Sequence, residues 1–104
     1  MPNKKTIYVT AGAKRYVGGT ITETTGKNIS GDTIVLALGP KFPAPLKSGA
    51  TAPDSDASPT PPQRLVKKMI DSTVTPQDDT YLWAWVSDNP EVEPILLDGP
   101  FDVV

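Results

Sequence analysis

The sequence predicts an all-β fold: an antiparallel sandwich of about seven short strands forming one domain over residues 1–104. Three observations predict it. Short runs rich in β-branched, threonine and aromatic residues are separated by Gly, Pro, Asn and Asp clusters, and no stretch carries a convincing helical period. Two of these runs, Ile34-Val35-Leu36-Ala37-Leu38 and Tyr81-Leu82-Trp83-Ala84-Trp85-Val86, are apolar on both faces, as central strands of a sandwich are. The 104 residues suffice for one two-layer core and not for a second, and no fixed-period repeat points to a solenoid or propeller.

Taken in order, Lys5 to Thr10 is a strand that Ala11-Gly12-Ala13 ends. Tyr16 to Thr24 alternates in threonine but contains Gly18-Gly19, which predicts a less regular strand with a bulge or a close backbone approach. Thr25 to Gly31 is a turn, since Gly26, Asn28 and Gly31 tolerate positive φ. Asp32 to Leu38 is expected as a central strand.

Residues 39–62 change character, with seven of the twelve prolines among Ser, Ala, Thr and Gly. Proline lacks the backbone donor and disfavours helix at the residue before it, so neither a helix nor a central strand is expected here. The first half, Pro40 to Leu46, carries Phe42 and Leu46 on a stiff backbone and is expected to pack on something. Ser48 to Pro62 is expected to be featureless and mobile. Phe42 and Leu46 either cover the edge of their own sandwich or reach a neighbouring subunit, as proline-rich segments do at low ordering cost.

Arg64 to Ile70 is too short for periodicity to separate one and a half helical turns from a strand; its flanking prolines and β-rich context favour a strand, and Asp71 to Asp79 is a connection. Thr80 to Ser87 follows as the principal central strand, with Tyr81, Trp83 and Trp85 on one side and Leu82, Ala84 and Val86 on the other. Asp88 to Glu91 is a turn, and Val92 to Leu97, interrupted by Pro94, an edge strand. Asp98-Gly99-Pro100 is expected to turn again, and Phe101 to Val104 to dock by one apolar side.

Composition excludes much catalytic chemistry. With neither cysteine nor histidine, the chain lacks disulfides, thiol nucleophiles, Ser-His-Asp triads and the usual zinc ligands. No window is long and apolar enough for a helical membrane span, and no signal-peptide core follows Lys4-Lys5, so a soluble protein made in the cytoplasm is expected. Charge is divided along the chain: ten cations and four carboxylates lie up to Lys68, then eight carboxylates and no cation. Two outcomes are open. Strands from the two parts interleave and neutralise one another, or acidic and basic faces survive and dock subunits head to tail. Overall acidity and scattered basic pairs disfavour nucleic acid.

Known motifs do not match. Thr25-Gly26-Lys27-Asn28 has Ile21 where a phosphate loop needs its first glycine and Asn28 where it needs Ser or Thr. Asp54-Ser55-Asp56 starts like a calcium loop and continues Ala57-Ser58-Pro59, without its later ligands. Asp78-Asp79 with Glu91 or Glu93 would serve glycoside hydrolysis only if two carboxylates flanked a cleft; on turns such groups are ordinarily solvated. Asn28-Ile29-Ser30 is a formal glycosylation sequon without a secretory signal. The row Tyr81, Trp83 and Trp85 is therefore the candidate site, as a protein interface, a sugar platform or a face covered by the chain's own loops.

Two stretches, Thr25 to Leu38 and Asp79 to Glu91 continuing to Gly99-Pro100-Phe101-Asp102-Val103, resemble the small immunoglobulin-like modules of tailed-bacteriophage virions. There a glycine turn enters an apolar strand, and a Tyr-plus-Trp strand passes through an acidic turn to a last edge strand. The resemblance covers about a third of the chain; the proline-rich insertion departs from the compact form. It implies an immunoglobulin-like sandwich and a non-enzymatic virion structural protein without metal or cofactor, binding capsid, neck or tail subunits in multiple copies. The expected partner-binding residues are Phe42, Leu46, Tyr81, Trp83 and Trp85. Self-association is a further expected partner mode. A carbohydrate- or cell-surface-binding module using Trp83 or Trp85 is the alternative.

Overall fold

Alternation of buried and exposed side chains sorts the strands into two sheets packed face to face. The computed structural model describes residues 5–22, 32–57, 63–88 and 91–104, with backbone alone at 88, 91 and 92. The expected turn at 25–31, the end of the loop at 58–62 and Asn89-Pro90 lie outside the described residues. The strands are β1 (Lys5–Ile7), β2 (Arg15–Ile21), β3 (Thr33–Gly39), β4 (Ser55–Ala57), β5 (Arg64–Ile70), β6 (Gln77–Asp88) and β7 (Glu91–Val103). One sheet has the order β1-β7-β6-β3 and the other β2-β5-β4.

In a constant-type immunoglobulin sandwich the first, second, fifth and fourth strands share one sheet, and the third, sixth and seventh share the other. The same order holds here except that β1 has crossed to the edge of β7. It runs parallel to β7, from Lys5↔Phe101 to Ile7↔Val103, so the purely antiparallel expectation is corrected at this pair. The switch is fixed where β1 ends: the Val104 amide donates to the Ile7 carbonyl and the Thr10 amide to the Val104 carbonyl. The first strand is also shorter than expected. Val9–Ala11 forms a 3-10 turn, closed by Gly12 at φ 96°.

The core lies between the sheets. Val17, Ile21, Val66 and Ile70 enter it from the three-stranded sheet; Ile7, Ile34, Leu36, Leu82, Ala84, Phe101 and Val103 enter from the four-stranded one, all buried. Phe101 and Val103 thus dock the chain end as their alternation predicts. Gly18 and Gly19 permit close approach: a Cβ at Gly18 would collide with the Val66 carbonyl oxygen, and Gly19 faces the Leu97 side chain.

β6 is central, flanked by β7 and β3, but β3 is an edge strand, which corrects the expectation that both apolar runs are central. β3 is apolar on both sides for another reason. Ile34 and Leu36 enter the core, whereas Val35 and Ala37 pair with Trp85 and Trp83 on the outer face. The outer edge of β3 is bridged by Thr51, whose amide and carbonyl pair with those of Leu36 at 2.9 and 2.7 Å.

Two further expectations are corrected. Asp98-Gly99-Pro100 is an irregular stretch inside one continuous β7, with register shifts against β6 in place of a turn. Gly99 makes this possible at φ 122°, where a Cβ would come within 2.9 Å of the Thr80 carbonyl and 2.8 Å of the Tyr81 ring. Pro94 sits, as expected, on the part of β7 that pairs, among the described residues, only with β6. The supposedly featureless half of the loop forms β4 on the edge of β5. Its acids explain why: Asp54 accepts the Met69 amide at 2.7 Å, and Asp56 holds the Arg64 guanidinium.

Charge is sorted by sheet. β2, β4 and β5 carry Arg15, Arg64, Lys67 and Lys68 against Asp56. The other sheet carries Lys5 against three acids on β6 and four on β7. The strands of the two halves do interleave, since β1 and β3 join β6 and β7, but their charges do not cancel within a sheet.

Candidate functional site

The candidate site is the outer face of β6. Leu82 and Ala84 are fully buried and Thr80 nearly so, whereas Tyr81, Trp83 and Trp85 on the opposite side are half-buried. Cross-strand pairing builds a patch around them. Trp83 lies between Ala37 and Leu96, and Trp85 between Val35 and Pro94. The central strip of this face is uncharged, with Leu96 41% exposed. Leu96 and Pro94 were not singled out from sequence; their place beside the tryptophans follows only from the β6–β7 register.

The loop after β3 is fastened to this patch at two points. The Trp83 indole N–H donates to the Pro40 carbonyl at 2.9 Å. Pro45 packs where a Cβ on Gly39 would stand, 3.1 to 3.3 Å away. Between and beside these anchors project Phe42, 89% exposed, and Leu46, 76% exposed. The first half of the loop therefore packs by its prolines, while its two large hydrophobes do not cover their own sandwich. The structure thus brings Tyr81, Trp83 and Trp85 into one row and seats the base of the loop on that row. The hydrophobes themselves remain in solvent.

On the same face, Trp85 Nε1 and Ser87 Oγ are enclosed with no hydrogen-bond partner among the described residues. Tyr81 is held differently, its ring stacked over the space that Gly99 leaves.

The remaining polar clusters serve the fold. Arg64 is buried at the end of the core, donating from Nε and Nη2 to Asp56 and from Nη1 to the Asp32 carbonyl at 2.8 Å. The bond to Asp56 holds the guanidinium above its ordinary range despite burial. Asp71 is held below the usual carboxylate range by the Thr73 hydroxyl and amide, with smaller help from Lys14 and Lys68. The carboxylates that opened a calcium-like sequence, Asp54 and Asp56, are thus engaged by Met69 and Arg64. Asp78-Asp79 and Glu93 lie toward opposite ends of the β6–β7 pair, roughly 20 Å apart at the rise of a strand, too far to flank one glycosidic bond. Among the described residues no three metal-ligating side chains converge.

No protein-family model, curated protein or solved structure matches the chain.

Proposed function

We propose that this chain is a non-enzymatic structural protein of a tailed-phage particle, made in the host cytoplasm and docked in multiple copies on a capsid, neck or tail surface. The observation that carries this reading is the pair of exposed hydrophobes, Phe42 and Leu46, on a loop pinned to the tryptophan face. A side chain as large as Phe42 left in solvent contributes almost nothing to the fold. Held on a fastened proline-rich turn, it enters a partner's pocket with little further loss of conformational freedom. Large aromatic anchors of this kind carry most of the energy of protein interfaces. The uncharged patch of Trp83, Trp85 and Leu96 supplies contact area beside the anchor. The resemblance to virion modules supports a phage particle as the partner.

The test is co-sedimentation of the purified chain with heads, tails and whole particles of its source. Binding to one of these, lost in Phe42→Ala with Leu46→Ala, is the expected result. Absence of the chain from purified virions by mass spectrometry would overturn the reading, as would binding to a glycan array through Trp83 or Trp85 without particle binding.

A further inference from the structure

We infer that the loop after β3 is received by a protein surface carrying an apolar cleft rimmed by carboxylates, and that it enters at two points, Phe42 and Leu46, each beside a lysine. The inference rests on the reading of these two side chains as anchors and names the chemistry of what receives them.

Lys41 and Lys47 bracket the two hydrophobes in sequence, and no carboxylate stands between Asp32 and Asp54. Both lysines are exposed. Among the described residues neither has an ion-pair partner. The loop therefore presents a large apolar side chain and an uncompensated cation at each of two places. Burying Phe42 and Leu46 calls for an apolar cleft. The ammonium groups then stand at its rim, their stems lying over apolar surface, where opposing carboxylates complement them. An apolar centre with a charged rim is the ordinary anatomy of a protein interface.

The backbone holds both points in place. Ala44 and Pro45 are partly covered, whereas Lys41, Phe42, Leu46 and Lys47 are exposed, so the loop touches its own domain by its middle and presents both ends. Phe42 stands between the Pro40 carbonyl, fixed by Trp83, and Pro45, seated on Gly39. Leu46 stands between Pro45 and the 3-10 turn Lys47–Gly49, which the Gly49 amide closes on the Leu46 carbonyl at 3.1 Å. Thr51 then returns the chain to Leu36. Four residues span at most about 14 Å, so one partner protein receives both side chains. A lipid or nucleic-acid surface fits less well. The sheet from which the loop leaves sets Lys5 against three acids on β6 and four on β7. A broad anionic surface meets those acids as well as the loop, whereas a cleft meets the loop alone.

The experiment is co-sedimentation of the intact chain with purified particles of its source, and with vesicles of phosphatidylserine and phosphatidylcholine. Binding to particles and not to vesicles is expected. Lys41→Glu with Lys47→Glu sets like charges against the rim and should weaken particle binding more than tenfold, with an unchanged urea midpoint because both positions are exposed. Lys41→Arg with Lys47→Arg keeps both charges and should bind as the wild type. Lys14→Glu with Arg15→Glu makes the same change of net charge at the start of β2, on the other sheet, and should also bind as the wild type. Particle binding that survives Lys41→Glu with Lys47→Glu but is lost in Phe42→Ala with Leu46→Ala overturns the inference and leaves the proposed function standing. An equal loss in Lys14→Glu with Arg15→Glu overturns it too, since the attraction is then long-range and not local to the loop. Binding to vesicles that the loop variants abolish overturns it in favour of lipid. A wild-type chain that binds no particle removes the proposed function, and this inference with it.

Discussion

The two sides of β6 are built from the same kinds of residue and have opposite fates. On the inner side Leu82 and Ala84 are fully enclosed by the facing sheet, with Phe101 beside them. On the outer side Trp83 and Trp85, much larger, are covered incompletely, although the chain commits its proline-rich loop to the task through Pro40 and Pro45. Size and hydrophobicity therefore do not decide which side is core. The decision comes from which side the second sheet occupies, and 104 residues provide only one such sheet. The outer side is left to a short loop, and that loop spends its prolines on the patch while directing Phe42 and Leu46 away from it.

The largest expected effect lies on the inner side. Leu82→Ala should lower stability by about 3 kcal/mol or more, since a closed core cannot collapse fully around the lost methyl groups. Urea unfolding followed by tryptophan fluorescence measures it. A loss under about 1 kcal/mol would mean that the inner side is not the tight one and would dissolve the contrast.

The second effect concerns the far end of the same loop. Asp56→Ala removes the carboxylate that neutralises Arg64 and leaves the guanidinium buried, still donating to the neutral Asp32 carbonyl. Breaking a buried ion pair costs about 3 kcal/mol or more; Asp56 is partly exposed, so about 2 kcal/mol is expected here. Arg64→Met together with Asp56→Leu should recover most of it, because the buried charge is then gone. Thermal unfolding of the three variants checks the order, and a double variant no better than Asp56→Ala would show that the clamp is not electrostatic.

A smaller effect is expected on the outer side. Trp83→Phe keeps an aromatic ring and loses the bond to Pro40, which is worth about 1 kcal/mol. Trp83→Ala should cost about 2 kcal/mol, less than Leu82→Ala despite the greater volume removed, because part of the indole is already in water. The reverse order would make the tryptophan row a second core.

These differences also explain what the sequence could and could not reveal. Strand runs, the buried chain end at Phe101 and Val103, and the row of Tyr81, Trp83 and Trp85 were legible because alternation is local. The edge position of β3 was not, because an edge strand covered by tryptophans has the same apolar pattern as a central one. β4 was missed because Ser55-Asp56-Ala57, a short segment between prolines, carries no strand signal; only the bonds of Asp54 to Met69 and of Asp56 to Arg64 reveal it. The unbroken β7 was hidden by Gly99-Pro100, which reads as a turn until the Thr80 carbonyl and the Tyr81 ring are seen occupying the space that the glycine leaves. Of the candidate site, the aromatic row was visible and Leu96 and Pro94 were not, since cross-strand register is a property of two strands at once.

The smallest stability effect carries the most information about function. Phe42→Ala removes a side chain that is 89% exposed, so it vacates no cavity and breaks no hydrogen bond. Its expected cost is within about 0.5 kcal/mol. If Phe42 is an anchor for a partner, the same change should weaken particle binding by more than tenfold, the signature of a buried aromatic at an interface. The measurement pairs unfolding curves with co-sedimentation on one protein sample. Unchanged stability with lost binding places the function of the outer side in the loop that the tryptophans hold. A stability loss near that of Trp83→Ala would instead make Phe42 part of the cover over that face and return the loop to a purely structural role.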